Sequence, residues 1–322
     1  MSAKKSKGFK KEAGTGKMKS IKGEKPEIEY RFYNPIDTKY ILYSEIFKKG
    51  SDFEKNINLL FSRLIPEISS ERSENKGKHL DFVIKEFDNF KNKLQIFSLL
   101  SSRRESFIKS LEDVGFISRG FSALCQWRLI IGLGGVHPEE TSMTLHHIYG
   151  IPYIPGSAVK GVTRHWAVLK FADRSGQDVN RISNALENGE NLDIEVEGIK
   201  FSDLIEIFGT QGKVGRVIFM DAYPLREDAI NLKIDIMNPH YPDYYSGKQP
   251  PADWQNPNPI KFLTVEKTHF QFYLISQDSS LLQKSEVLLT EYWYFYVSPI
   301  SRFQSLTGSI QTQMKIILLK AV

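Results

Sequence analysis

The stretch from Gly132 to Arg164, GLGGVHPEETSMTLHHIYGIPYIPGSAVKGVTR, constrains this chain more than any other part of it. An apolar, strand-like run (Ala123–Gly132) leads into it and ends in a glycine-rich turn. A proline-stiffened, irregular connection follows, and Ser157 opens a helix expected to reach about Lys170. A strand joined to a helix in this way points to an architecture of both helix and sheet. The helix start also carries chemistry, because helix N-termini gather anions. Gly156 and Ser157 stand at its first turn, and Lys160 and Arg164 share one face four residues apart. Backbone amides, a hydroxyl and two cations on one spot point to contact with a nucleic-acid backbone. His146 and Tyr149 are further candidates beside them.

The flanking sequence has two textures. Residues 37–115 read as helical: Leu80, Val83, Ile84, Phe87, Phe90, Leu94 and Phe97 recur every three or four residues. Phe53–Ile65 places Ile57, Leu60, Phe61 and Leu64 on one face, and Gly115 closes a third piece, Ser101–Val114. After the Ser157 helix the apolar runs shorten. Strands are expected at Arg216–Ala222, Lys261–Val265 and Phe270–Ser276, the last two joined by a turn through VEKTHF. A helix at Ser280–Tyr292 and a strand at Met314–Val322 complete the order. This is an α+β pattern with a ferredoxin-like, RNA-recognition-type β-α-β-β-α-β core. The expected organisation is a disordered basic arm (1–25), a helical region (26–119) and the α+β domain (120–322) with a Tyr-, Pro- and Asn-rich insertion loop at 225–259. In that loop Tyr241, Tyr244, Tyr245 and Trp254 offer stacking surfaces and Lys248 a phosphate contact.

The net charge of +5 is unevenly spread. Residues 1–25 hold nine lysines and two glutamates, a local charge of +7, which leaves −2 for the remainder. The arm suits salt-sensitive contact with nucleic acid, whereas any such site on the body must be a local patch. No apolar run approaches a membrane span and no apolar segment follows the N-terminal lysines. The lone cysteine, Cys125, cannot form an internal disulfide or a thiol-rich metal site and reads as a core thiol. A cytoplasmic protein without cofactor or metal is expected.

The histidines invite a catalytic reading. His137, His146 and His147 lie near Glu139 and Glu140. Imidazole is a general acid and base near neutrality. His146 and His147 are adjacent, however, and on an extended segment they point to opposite sides. Asp221 reads as the organiser of a turn at a strand end, and no carboxylate cluster matches a two-metal nuclease. Three functions stay open on the residues alone: a non-catalytic RNA-binding subunit, a metal-independent endoribonuclease using His137 or His146, and a protein-only scaffold.

Four collinear segments narrow that choice: Gly132–Arg164, GRVIFMDAYP (Gly215–Pro224), DIMNPHYPDYY (Asp235–Tyr245) and PADWQNPNPIKFLTVEKTHFQFYLI (Pro250–Ile275). Together they resemble the RAMP superfamily of CRISPR effector proteins, most of all the branch of sixth Cmr subunits of type III-B complexes. The likeness covers roughly residues 120–275. It implies a non-catalytic subunit that binds guide RNA, caps the backbone filament near the guide 3′ end, and has target RNA and other Cmr subunits as partners. It also implies a glycine-rich loop near the C-terminus that contacts RNA. Here the chain departs from the family, since a single glycine, Gly308, follows Leu289.

Overall fold

The computed structural model describes residues 31–32, 56–63, 66–67, 78–91, 96–125, 127–135, 137, 141–226, 230–237, 247, 250, 259–293 and 317–319. The basic arm, Glu139, Glu140, the loop aromatics from Tyr241 to Trp254, Lys248 and Gly308 lie outside them.

Three helices come first: α1 (Ile57–Ser62), α2 (Lys78–Lys91) and α3 (Ile96–Glu112). A two-stranded ladder, β1 (Arg31–Phe32) with β2 (Pro66–Glu67), flanks α1 in sequence. Leu80, Val83 and Phe87 are buried at the spacing expected of one helical face. Gly115 takes φ +89°, which lets Phe116 N–H return to Leu111 O (3.1 Å) and ends α3.

Two sheets follow. In one, β3 (Ile117–Cys125) pairs antiparallel with β11 (Thr268–Ser276), whose other edge takes β7 (Ile218–Phe219) and β8 (Tyr223–Pro224). Alternation along β11 sorts its faces. Phe270 and Phe272 are buried and meet Trp293, at 6.4 and 4.8 Å between centroids. Tyr273 points the other way, under the Arg104 guanidinium of α3 at 4.7 Å from its ring centre. Gly120 faces Tyr273, and a Cβ there would lie 2.6 Å from the ring. Helices α4 (Gly156–Ser175) and α7 (Ser279–Tyr292) cover the Phe270 face. Between α4 and β7 come α5 (Val179–Asn188), the hairpin β5–β6 (Glu195–Val196, Ile199–Lys200) and α6 (Phe201–Phe208).

The second sheet has the order β12-β4-β10-β9, from β4 (Leu129–Ile131), β9 (Asn231–Met237), β10 (Ile260–Glu266) and β12 (Ile317–Leu319). Three sequence expectations change here. The expected insertion loop contains β9, paired with β10 from Met237↔Ile260 to Asn231↔Glu266. Its period-two apolar positions, Leu232, Ile234 and Ile236, are diluted by Lys233 and Asp235. The expected turn through VEKTHF is a corner between sheets and pairs neither strand with the other. Lys267 alone, at φ +47°, separates β10 in one sheet from β11 in the other. The single strand expected at Ala123–Gly132 is split between the sheets: β3 ends at Cys125, and β4 pairs in parallel with β12.

The architecture is therefore mixed helix and sheet. One apolar cluster runs from Ile57 and Phe87 in the helical region through Phe171, Phe201 and Phe270 to Trp293. Among the described residues no helix is long and apolar enough to cross a membrane.

Candidate nucleic-acid interface

The start of α4 is fixed by a segment far away in sequence. Ile154 and Ala222 exchange backbone hydrogen bonds of 2.8 Å, stitching the approach to the helix onto the β7–β8 segment. Gly156 lies so close to this segment that a Cβ would sit 2.2 Å from Phe219 O. Its N–H donates to Asp221 Oδ1 at 2.7 Å. The anion position at the helix start is thus filled by the protein's own carboxylate. This corrects the sequence reading of Gly156 as a phosphate contact, because its amide is buried and already engaged.

The rest of that face stays open. Ser157 is exposed and Lys160 half-buried one turn later. Burial, and then the neighbouring Arg164 guanidinium, hold the Lys160 ammonium below its ordinary range. Arg164 Nη2 donates to Ser183 O (3.3 Å). Among the described residues neither cation forms an ion pair.

His146 and Tyr149 lie in a turn packed against the same region. His146 N–H donates to Ile151 O (2.8 Å) and Gly150 N–H to His146 O (2.7 Å), with Gly150 at φ +66°. Asn56, the N-cap of α1, donates from its side-chain amide to His147 O (2.7 Å) and Ile148 O (3.1 Å). His146 Nδ1 accepts the Ile148 and Tyr149 amides at 3.2 and 3.3 Å, so the neutral ring carries its proton on Nε2. Burial and then His147 lower its pKa, against an opposing pull from Asp221.

The expectation that His146 and His147 diverge fails, because the backbone turns here. Their rings stack at 5.1 Å and 9°. Tyr149 stacks on His146 at 4.3 Å, and its hydroxyl accepts a 3.5 Å contact from Arg103 Nη1. Sequence reasoning did not single out Tyr153 or Tyr223 as site residues. Tyr153 meets His146 edge-on at 5.1 Å, and Tyr223 stacks on Tyr153 at 5.7 Å. Tyr223 O–H donates to Asp221 Oδ2 (3.4 Å), and burial followed by Asp221 pushes its pKa up. The one available signal was their density around Asp221 in MDAYP and the Pro-rich IPYIPG.

His137 belongs elsewhere. It is buried, stacks on Phe61 at 4.4 Å and donates from Nε2 to Phe61 O at 2.8 Å. Asp235 is taken up by Arg128 (2.6 Å). No group of three His, Cys, Asp or Glu side chains fit to hold a metal occurs among the described residues. Cys125 is a buried thiol, pushed up to about 12 by burial, and donates to Trp127 O (2.8 Å).

The site residues from His146 to Tyr223, and the strands of both sheets other than β3 and β12, fall inside one recognised sequence unit. The model of the RAMP superfamily matches residues 128–297. This chain belongs to the RAMP superfamily. Among RAMP proteins it is 39% identical over 197 residues to the CRISPR system Cmr subunit Cmr6 of Pyrococcus furiosus, across 50% of this chain and 58% of that one. It is 26% identical over 249 residues to the Cmr6 subunit of Saccharolobus solfataricus, across 76% and 69%. The chain thus spans little more than half the length of the Pyrococcus relative. The crystal structure of Pyrococcus furiosus Cmr6 is similar at 33% identity and TM-score 0.39, over 55% of this chain and 90% of that one. A chain of the type III-B Cmr-beta complex bound to cognate target RNA is similar at 20% identity and TM-score 0.43, over 78% and 79%.

Proposed function

We propose that this RAMP protein is a non-catalytic, guide-RNA-binding and assembly subunit of a cytoplasmic type III-B CRISPR effector complex. In this reading it sits near the guide 3′ end, and guide RNA, target RNA and other Cmr subunits are its partners. Residues 120–322 form the RAMP domain, with β3, α4, β7–β8, β11 and α7 as a ferredoxin-like frame, and residues 26–119 form a helical region against it. The similarity to Cmr6 subunits supports the assembly. One observation carries the RNA reading: Lys160 and Arg164 form no ion pair among the described residues, beside the exposed Ser157. Such a pair is completed by phosphate oxygens. The state of the histidines supports a role without chemistry. His137 is buried, and His146 uses its acceptor nitrogen to hold two amides of its own turn. A proton-transferring pair must instead reach the reacting hydroxyl and the leaving oxygen.

The test is RNA binding by the full chain and by Lys160→Ala/Arg164→Ala, with single-stranded RNAs of several sequences. The double variant is expected to weaken binding equally across sequences. It should lower the slope of log K against log salt by about 1.4, the value for two phosphates on a single strand. An unchanged slope in a folded variant overturns the site. Defined cleavage products that vanish in His146→Ala would replace the proposal with the endoribonuclease.

A further inference from the structure

The three rings of His147, His146 and Tyr149 form a near-parallel column, at 5.1 Å and 9° and then at 4.3 Å and 25°. Its order is set by backbone contacts. His146 Nδ1 holds two amides of the turn, and Asn56 holds the carbonyls of His147 and Ile148. Gly150 packs so tightly on α1 that a Cβ would lie 2.6 Å from Ile57 N. The turn is thereby fixed before anything binds. Its end ring, His147, is exposed, and Ile148 beside it is 64% exposed. Among the described residues no second ring covers the far side of His147. An exposed ring with an apolar neighbour on a rigid turn presents a flat surface at little ordering cost.

We propose that this column is a stacking platform for one unpaired nucleobase of a single-stranded RNA, which covers the open face of His147. The inference rests on the RNA-binding reading above and adds a base contact to a phosphate contact. Cations favour a nucleotide over an aromatic side chain of a protein partner. Arg103 stands at the Tyr149 end of the column. His146 touches Tyr153 and Tyr223, and Asp221, bonded to Tyr223, also holds the first amide of α4. The column therefore stands at the helix end that bears Ser157, Lys160 and Arg164. A flat ring beside open cations matches a base beside its phosphates. Stacking of this kind is tolerant of sequence, since every base has a π-face.

The experiment uses the full chain and oligouridylates with a single 2-aminopurine moved through successive positions. Binding is expected to quench 2-aminopurine at one register. His147→Ala should abolish that quench and weaken binding about 5- to 10-fold, the low end for loss of one base–aromatic stack. His147→Phe should restore both, and an abasic nucleotide at that register should remove the difference between wild type and His147→Ala. Equal binding by His147→Ala and no quench at any register, with the Lys160/Arg164 salt effect intact, would overturn the platform alone. Such a result would be the mark of a protein-docking surface. Absence of RNA binding by the wild type would overturn the platform and the proposed function together.

Discussion

Helix α4 carries two pairs of cations at the same four-residue spacing, and the fold treats them in opposite ways. Lys170 and Arg174 find acids: Lys170 Nζ lies 2.7 Å from Glu197 Oε2 and 2.8 Å from Glu291 Oε1, and Arg174 lies 3.4 Å from Glu197. The Lys170 side chain is 7% exposed. Its burial disfavours the charge, but the two carboxylates outweigh that and hold the ammonium above its ordinary range. Trp166 Nε1 completes the cluster by donating to Glu291 at 3.0 Å. Among the described residues, Lys160 and Arg164, ten residues earlier, meet each other's like charge and a carbonyl but no acid. Identical spacing therefore has two outcomes, decided by acids contributed from the β5–β6 turn and from α7. A satisfied cation is architecture, and an unsatisfied one on the surface is an open valence.

The comparison breaks most visibly at Lys170. Lys170→Ala removes the buried ammonium from Glu197 and Glu291, which keep Arg174 and Trp166 as partners, and is expected to cost about 2–3 kcal/mol of stability. Urea unfolding reads this directly. RNA affinity per folded molecule should not change, and a drop like that of the Lys160/Arg164 variant would show that both pairs serve RNA.

A buried base without an acid sharpens the contrast. His79 is 3% exposed, and burial, with a further push from His137, lowers its pKa to about 4. Such a base remains neutral in the folded chain, while the unfolded chain protonates it below about 6.5. The folded value lies below the unfolded one. Its contribution is therefore complete above pH 6.5 and shrinks as pH falls toward 4, by about 3 kcal/mol in all. Stability measured across that window should slope in wild type and flatten in His79→Phe. Equal slopes in the two would remove His79 from the account.

The smallest change converts the open pair into the satisfied kind. Ser157→Glu sets a carboxylate three residues before Lys160, in the first turn of α4. It is expected to raise stability by about 0.3–1 kcal/mol while lowering RNA affinity, because acids suit helix starts and occupy the cation. Improved stability with undiminished affinity would show that Lys160 does not meet RNA.

These residues also mark where sequence reading succeeds and stops. The helical faces were legible from period alone: Leu80, Val83 and Phe87 are inward as spaced. The start of α4 was legible within one residue. Helix α5 had its signals, with Asp178 capping the Asn180 and Arg181 amides and Gly189 ending it in the left-handed region, but its short apolar set does not stand out. What could not be read is anything decided by a distant partner. The amide of Gly156 is claimed by Asp221, 65 residues on. The His146–His147 stack depends on a turn held by Asn56, 91 residues before His147. The Lys170 acids lie 27 and 121 residues away. Local periodicity reports which face is apolar, whereas pairing depends on topology.

The corner at Lys267 sets a rule for how this chain can vary over evolutionary time. Two long strands in different sheets are separated there by a single residue in the left-handed region. A substitution at Lys267 changes only a local conformational cost, and glycine lowers it. An insertion or deletion of one residue is a different event. It would turn the Phe270 and Phe272 side chains of β11 away from Trp293, or reverse the faces of β10 against its own ladder. The corner is therefore permissive in composition and intolerant in length, so descendants of this chain are free to change the letter at 267 but not the count.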